Sequence, residues 1–387
     1  MPPLGFTDML DYAVYGRIAV LGHSPYQMTP AQLAATGDPV GAAAPVPWRH
    51  MPSVYGPVAT LSEQAASALA GPSSARTIVW LKVLNGLAYL AVALALDRVL
   101  ASDTAARTRA HLLWSVNPLM LWAVMAGGHL DGLAAAAGFL GLLCLRRLGA
   151  ARGLAAGLLV GAAIAMKAPF VLFLPAAGWA ARRSPRTLAG TALGVVAVVV
   201  PAYLLAGRAA IKALVSRATG GPDLYQPWQL LTRTLAIHPA TRFTDTAALA
   251  ASVLLAVLLL WRLPSGPSGL PFTRPALALS LAWLICTPQQ RPWYDAMILP
   301  AAGADAGHPA RLDRLRPRAR GGPGADSRRH LLYRAAPALA GGARRPHLPR
   351  AGARGSRAGS CCAGLAVLHW RLDPRWPDGR GRRRSSA

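Results

Sequence analysis

Long uninterrupted apolar segments, separated by short arginine-bearing stretches, are the feature that most constrains how this chain can fold. Hydrophobic residues make up 53% of the chain and charged residues only 14%. The apolar residues run as blocks and lack the alternating or 3.6-residue patterns of soluble folds. Such blocks cross a hydrocarbon core as helices, because a helix satisfies its own backbone hydrogen bonds where water is absent. We therefore predict an all-α, polytopic integral membrane protein with about eight or nine membrane helices.

Arginines mark one set of ends of these segments, as at Arg146 with Arg147 and Arg182 with Arg183. Because positive residues in short loops are retained on the cytoplasmic side, these ends are predicted to be cytoplasmic. The predicted membrane helices, some of them short or re-entrant, are 75–96, 110–126, 130–145, 153–166, 168–181, 187–206, 246–261 and 275–288, with a ninth from 293 to about 302. The opposite, extracytoplasmic ends carry Asp8, His129, Asp131, Asp223, Gln289, Gln290 and Asp295.

The segment 153–181 fits this alternation only as a hairpin of two short helices hinged near residues 166–169. One long helix would move the Arg182 and Arg183 pair to the outer face, against the positive-inside bias. Lys167 then lies at the outer end of the hairpin, on the side of the other polar residues. The alternative for Lys167 is a lone lysine that snorkels from within a helix without a special role.

The chain is predicted to divide into three regions. Residues 1–74 form an extracytoplasmic loop region, and we expect its first membrane helix to be missing and Met1 to be an internal start. Residues 75–302 form the transmembrane helical domain. Residues 303–387 hold 19 Arg and 5 acidic residues, a net charge of +14, in Arg-, Pro- and Gly-rich sequence typical of an alternate reading frame. The rival interpretation is a basic tail that binds nucleic acid or anionic lipid.

The sequence lacks the motifs of several enzyme classes. It has no Gly-rich phosphate loop, dinucleotide fingerprint or Ser/His/Asp order. Cys144 and Cys286 lie inside apolar segments, and the other two cysteines lie in the basic region, so no zinc site or disulfide framework is indicated. Reactive groups are therefore expected in the outer loops. Small residues that predict close helix packing recur at Gly153, Gly157 and Gly161.

Several motifs follow one another in a fixed order along the outer regions. They are Asp8 to Tyr12, Gly16-Arg17, Gly22-His23-Ser24-Pro25-Tyr26, Trp48, Tyr55-Gly56-Pro57, Asn117-Pro118-Leu119, Gly127-Gly128-His129-Leu130-Asp131 and Trp293-Tyr294-Asp295-Ala296-Met297. From about Asp8 to Pro300, this order resembles the actinobacterial polyprenol-phosphate-mannose-dependent α-1,6-mannosyltransferases, which resemble the wider GT-C membrane glycosyltransferases. The resemblance implies a helical bundle of GT-C type in the cell membrane, with its active site on the extracytoplasmic face.

Asp8 occupies the place of the acidic residue that GT-C enzymes carry in their first extracytoplasmic loop. The resemblance therefore implies that Asp8 is the general base. Converting a β-linked lipid-phosphate sugar into an α-linkage is an inversion, which needs one base to take the acceptor hydroxyl proton. Asp11, three residues on and on the same helix face, is the competing base. A purely structural role for both carboxylates is the third reading.

The remaining candidates are substrate contacts. His129 and Asp131 suit sugar hydroxyls or the donor phosphate, and a pairing of the two that caps the following helix is the alternative. Lys167, Arg291 and Arg17 suit the phosphate, because cations stabilise charge on the leaving group. The other predicted contacts are Tyr12, Tyr26, Tyr55, Tyr294 and Asp295, with Asp223, Tyr225 and Trp228 on the acceptor side. Tyr294 is equally typical of an interfacial aromatic belt.

No cofactor or metal is predicted, although Asp8, His129, Asp131 and Asp295 would make a divalent site if they converged. The leading function is transfer of mannose from polyprenyl-phosphate mannose to a growing lipomannan-type cell-envelope glycan, among membrane lipids and with no nucleic acid partner. A lipid-linked sugar carrier or flippase without chemistry is the second hypothesis, and it requires polar residues deep in the spans. An inactive, truncated GT-C remnant is the third.

Overall fold

The computed structural model describes residues 7–46, 48–218, 234, 241–263, 270–287 and 291–305. The predictions for Asp223, Tyr225, Trp228, Gln289, Gln290 and residues 306–387 lie outside these ranges. The helices are α1 (Asp8–Val20), α2 (Pro30–Ala35), α3 (Pro57–Ala70), α4 (Ser74–Val99), α5 (Thr104–Leu113), α6 (Asp131–Cys144), α7 (Ala150–Met166), α8 (Phe173–Ala181), α9 (Pro185–Ala218), α10 (Thr241–Arg262), α11 (Thr273–Cys286) and α12 (Leu299–Asp305). No strand occurs among the described residues, so the all-α class is confirmed.

Within the described ranges, three helical segments are long and apolar enough to cross a membrane, namely Ser74–Val99, Pro185–Val215 and Asp245–Arg262. A fourth span results if the segments Met120–Ala126 and Asp131–Cys144, bent by 107° at their junction, are counted together. The predicted spans 153–166, 168–181 and 275–288 correspond to shorter apolar helices. The predicted ninth helix from 293 is divided into a 3-10 turn at Pro292–Met297 and the short helix α12. Large apolar side chains on the long helices point outward, as expected of surfaces that contact lipid. The chain is therefore a helical membrane protein.

The prediction of one helix over residues 110–126 is wrong. Helix α5 ends at Leu113, and a π-helical segment runs from Met120 to Ala126. Pro118 explains the break, because proline has no backbone N–H and disfavours helical geometry in the residue before it. The Asn117 side chain satisfies the broken ends, since its Nδ2 donates to the Leu113 carbonyl at 3.1 Å and its Oδ1 accepts from the Leu119 amide at 2.9 Å.

Helices α7 and α9 run parallel to each other in close contact. A Cβ built on Gly153 would meet the Thr187 carbonyl oxygen at 2.2 Å, and one on Gly157 would meet that of Thr191 at 2.1 Å. The contacts thus advance by four residues on both helices in the same direction. Because α7 and α9 start at the same end, the intervening chain must return to that end, which confirms the predicted hairpin with its break at Lys167.

The close approach of α7 to α9 makes Gly157 a sensitive position. Gly157→Ala is expected to destabilise the protein by about 1–3 kcal/mol, because the new methyl group would collide with backbone atoms that cannot rotate away. The thermal unfolding midpoint in detergent measures this. Gly178→Ala in α8 is the matched control, since its Cβ meets nothing within 4 Å and alanine is the better helix former. Equal midpoints for the two variants would contradict the packing.

Helices α6 and α7 run antiparallel, so the pair defines two ends of the bundle. Asp131 at the start of α6 contacts Lys167 at the end of α7, and we call this the carboxylate end. The turn between Cys144 and Ala150 lies at the other end, which we call the arginine end. The Gly149 amide there donates to Thr187 Oγ1 at 2.7 Å, so the start of α9 lies at the arginine end too.

Candidate active site

Four chain segments meet at the carboxylate end. They are the start of α1, the turn before α6, the turn after α7 and a 3-10 turn at Pro292–Met297. Nδ1 of His129 lies 3.6 Å from Asp8 Oδ2 and 3.4 Å from the Tyr12 hydroxyl. The Trp293 ring stacks on the His129 ring at 3.7 Å between centroids. Residues far apart in the sequence thus form one cluster around the Asp8 carboxylate.

Lys167 joins Asp131 in a two-pronged ion pair. The Lys167 ammonium donates to both Asp131 carboxylate oxygens, at 2.7 and 2.8 Å, and lies 4.2 Å from the Tyr294 ring centroid. Asp131 is buried and forms no side-chain cap on α6. The alternative readings, a His129–Asp131 helix cap and a lysine that snorkels without a partner, are therefore both wrong. The pair has no net charge, so Lys167 alone does not create a positive site.

Two glycines hold this cluster together through the backbone. Gly128 has φ +64°, and a Cβ there would lie 2.0 Å from Met9 Cε, so α1 packs directly on the turn that carries His129. Asn85 of α4 donates to the Gly128 carbonyl at 3.4 Å and steadies the same turn. The Gly56 amide donates to the Met166 carbonyl at 2.9 Å, which fixes Tyr55 beside the end of α7.

Burial shapes the electrostatics at Asp8. Burial raises the pKa of the Asp8 carboxyl, and the nearby charges of Lys167 and Arg291 partly oppose this rise. Burial, followed by the charge of Lys167, lowers the pKa of His129 to about 3. His129, which lies in the break between two helical segments, is therefore neutral at physiological pH. A neutral imidazole beside the Asp8 carboxyl does not neutralise its charge.

The structure places other predicted contacts as follows. The Tyr55 ring packs edge-on against Tyr12, with 5.0 Å between centroids. Arg291 is exposed and Asp295 half-buried, both at the 3-10 turn. Arg17 is not part of the cluster, because its guanidinium binds Asp38 at 2.8 Å.

Tyr26 is also apart from the cluster. Its hydroxyl shares a hydrogen bond of 2.8 Å with Thr60 Oγ1, and its ring is buried. Together with the Arg17 pair, this bond ties the loop after α1 to its surroundings. We assign both residues to the architecture of the first region.

Asp11 of α1 is buried, and its charge acts on Glu63 of α3, which is buried as well. Asp11 Oδ1 and both carboxyl oxygens of Glu63 have no hydrogen-bond partner among the described residues. Burial, with a smaller contribution from Asp8, raises the pKa of Asp11 to about 8. Burial raises the pKa of Glu63 well above its usual range as well. Asp11 is thus largely protonated at neutral pH, and its burial keeps an acceptor hydroxyl away from it.

The buried Asp11 carboxyl predicts a pH-dependent stability. Its folded pKa of about 8 exceeds the ordinary value of 3.8, so the folded state binds more protons between these limits. This contribution is fully present below about pH 4 and is lost as the pH rises toward 8. Asp11→Asn should flatten the fall of the thermal midpoint across this window. Glu63 acts in the same direction, so Asp11→Asn/Glu63→Gln should flatten it further, and unchanged profiles would contradict the assignment.

The space at the carboxylate end is small. A cavity of about 10 Å³, bordered by Asp131, Lys167 and Tyr294, holds no more than about one water molecule. A larger cavity lies at the arginine end, lined by Leu143, Cys144, Arg146, Arg147 and Arg152. Within the described ranges, no group of three or more His, Cys, Asp or Glu side chains is arranged to hold a metal ion.

Sequence reasoning missed three residues at or near the site. Trp293, which stacks on His129, stands inside a motif that was recognised, so the motif itself could have indicated it. Asn85 was visible as a polar residue inside an apolar span. Glu63 gave no signal, because a single acid in a short helix is normally a surface residue.

Comparison with known proteins agrees with the motif resemblance. Residues 1–183 match the family model described as alpha-(1->6)-mannopyranosyltransferase, N-terminal domain. A probable alpha-(1->6)-mannopyranosyltransferase of Mycolicibacterium smegmatis is 28% identical over 132 residues, covering 34% of this chain and 24% of that protein. An alpha-(1->6)-mannopyranosyltransferase of Mycobacterium tuberculosis is 26% identical over 132 residues, covering 34% of this chain and 22% of that protein.

The matched segment carries most of the candidate site. It includes Asp8, His129, Asp131 and Lys167, whereas Tyr294 lies beyond it. The chain spans about a quarter of the length of the curated relatives that it matches. No solved structure matches the chain. Residues 1–183, slightly less than half of the chain, are therefore similar to the N-terminal domain of the alpha-(1->6)-mannopyranosyltransferases.

Proposed function

We propose that this protein is a membrane mannosyltransferase that transfers mannose from polyprenyl-phosphate mannose to a growing cell-envelope mannan, in α-1,6 linkage. The single observation that carries the proposal is the cluster around Asp8, in which Asp8 and Tyr12 of α1 meet His129 of the turn before α6, and the charges of the Lys167–Asp131 pair act on Asp8. The Asp8 carboxylate has a raised pKa and lies beside the neutral His129 imidazole, which suits it to act as a general base.

The chemistry assigned to Asp8 is an inverting displacement. The acceptor hydroxyl oxygen forms a bond to the anomeric carbon as the bond from that carbon to the phosphate oxygen breaks. The Asp8 carboxylate takes the proton that the hydroxyl loses, and the polyprenyl phosphate departs with the bonding electrons. Because Asp8 keeps 19% of its side chain exposed, an acceptor sugar reaches it from the surface.

Positive charge near Asp8 would stabilise the departing phosphate. Arg291 is exposed and near enough to Asp8 to lower its pKa, and a guanidinium grips phosphate oxygens in pairs. The third ammonium hydrogen of Lys167 is available after Asp131 takes two, so Lys167 contributes a directional contact without a net charge. Tyr294 and Trp293 would form an aromatic wall for the sugar at the same place.

The carboxylate end would face the extracytoplasmic side. The arginines of the α6–α7 and α8–α9 turns lie together at the opposite end, and short arginine-rich loops are retained in the cytoplasm. A donor on a polyprenyl chain remains in the bilayer and presents its phosphate at the membrane surface, where the site lies. The acceptor would be a lipoglycan or mannan of the envelope.

The proposal is tested by measuring which sugar donor the protein uses. Membranes from cells that express the full chain are incubated with a mannan acceptor and radiolabelled polyprenyl-phosphate mannose or GDP-mannose. We expect label in α-1,6-linked product from the lipid donor, above the level of membranes without the protein. GDP-mannose should label no product when synthesis of the lipid donor is blocked. Movement of the lipid donor across vesicles without any transfer would instead identify a carrier.

A further inference from the structure

A second cavity, of about 320 Å³, lies at the arginine end of the bundle. It is lined by Leu143, Cys144, Arg146, Arg147 and Arg152, which belong to the end of α6, the following turn and the start of α7. Its volume is in the range of small-molecule sites. The mannosyl-transfer chemistry proposed above uses none of these residues.

The charge of this cavity is unbalanced. Three arginine residues line it, and no acidic residue does so among the described residues. Within the same part of the chain, Arg146, Arg147 and Arg152 form no ion pair. Like charges that share one cavity repel, and an anion placed between them removes this repulsion. Guanidinium groups match phosphate oxygens in planar, two-pronged contacts better than lysine does.

The helix that begins here adds to the same field. Arg152 lies in the first turn of the 17-residue helix α7, whose N-terminal amides carry a partial positive charge. The cavity and the amides therefore attract the same kind of ligand. This ligand is separate from the donor, because α6 has 14 residues and holds the two ends about 20 Å apart.

We propose that this cavity binds a phosphoryl anion at the membrane surface. Two sources present this chemistry on the cytoplasmic side, namely the headgroup of an anionic phospholipid and free phosphate. A phospholipid would seat its headgroup among the arginines and lay its acyl chains along the apolar surface near Leu143. An occupied cavity would lock the α6–α7 turn, and with it the helix pair that carries Asp131 and Lys167.

Ligand titration of the purified full chain in detergent tests the proposal. The thermal midpoint is followed while short-chain phosphatidylglycerol, short-chain phosphatidylcholine or inorganic phosphate is added. We expect phosphatidylglycerol or phosphate to raise the midpoint, and phosphatidylcholine to have no such effect. A response to phosphatidylglycerol alone identifies the lipid, whereas a response to inorganic phosphate identifies the free anion.

A matched pair of variants separates this cavity from general basic charge. Arg146→Gln/Arg147→Gln should weaken the apparent affinity at least tenfold. Arg182→Gln/Arg183→Gln removes the same charge from an exposed turn at the same end, outside the cavity, and should leave the affinity unchanged. The basic segment 303–387 is present in every variant, so its own attraction for anions cancels.

Arg152→Gln alone covers the case in which the double variant fails to fold, and it too should weaken the response. Equal responses of the two double variants would overturn the proposal. It would also be overturned by an absence of any midpoint shift, or by equal shifts with phosphatidylglycerol and phosphatidylcholine. Because none of these readouts measures sugar transfer, they stand apart from the test of the proposed activity.

Discussion

Replacing Asp8 with Asn is expected to lower the proposed mannosyl transfer by about 10²–10⁴-fold, the usual contribution of a positioned general base. Asparagine keeps the shape of the side chain and its distance to His129 but cannot accept the hydroxyl proton. Asp8 is partly exposed, so the change leaves no buried group without a partner. Initial rates with polyprenyl-phosphate mannose, normalised to the amount of protein inserted in the membrane, measure the effect.

Asp11→Asn is the matched control for Asp8→Asn. Both substitutions remove one carboxylate from the first turn of α1, three residues apart. Because the Asp11 carboxyl is protonated at neutral pH, its loss should change the rate by less than about threefold. The reverse pattern, with Asp11→Asn inactive and Asp8→Asn active, would move the base to Asp11. Full activity of both variants would remove the general-base mechanism on α1.

Lys167→Met is expected to destabilise the fold by about 3–5 kcal/mol, because it leaves the buried Asp131 carboxylate without its counter-ion. Methionine retains most of the apolar length of lysine, so lost packing contributes little. The thermal midpoint in detergent should fall accordingly. Asp131→Leu should destabilise by a similar mechanism, since it leaves the Lys167 ammonium without a partner.

The double variant Lys167→Met/Asp131→Leu separates folding from function. Replacing both members of a buried ion pair with apolar residues is often neutral or stabilising, so the midpoint should recover toward the original value. Transfer should stay low if Lys167 contacts the donor phosphate. Additive losses in the double variant would contradict a direct pair, and full recovery of transfer would exclude Lys167 from donor binding.

Local patterns predicted much of the architecture. The α4 span, the break at Lys167 and the close packing at Gly157 follow from apolar length, arginine placement and glycine spacing, which are properties of neighbouring residues. The prediction of one helix over 110–126 failed because it rested on hydropathy and did not take account of Pro118, which lacks the backbone amide that a continuous helix requires. Asp8, His129, Asp131 and Lys167 were all predicted to lie at one end of the spans, and the structure brings them together.

The partners of those residues could not be predicted. Lys167 was assigned to phosphate, yet its strongest contact is Asp131, 36 positions earlier in the chain. Arg17 was also assigned to phosphate, but it forms an ion pair with Asp38, a loop residue. Side-chain type indicates what a residue can bind, whereas distance decides what it does bind, and distance between remote positions depends on helix packing.

The sequence alone determined the helical membrane class, the two chemically different ends and the family motifs, because each depends on composition or on short spacing. Only the tertiary structure decided that Asp8 faces His129 while Asp11 is buried beside α3, although the two acids lie three residues apart. Burial raises the pKa of both carboxyls, but the charges of Lys167 and Arg291 oppose the rise at Asp8, whereas the charge of Asp8 adds to the rise at Asp11. That difference arises from what packs on each side of α1, which is a property of the whole fold.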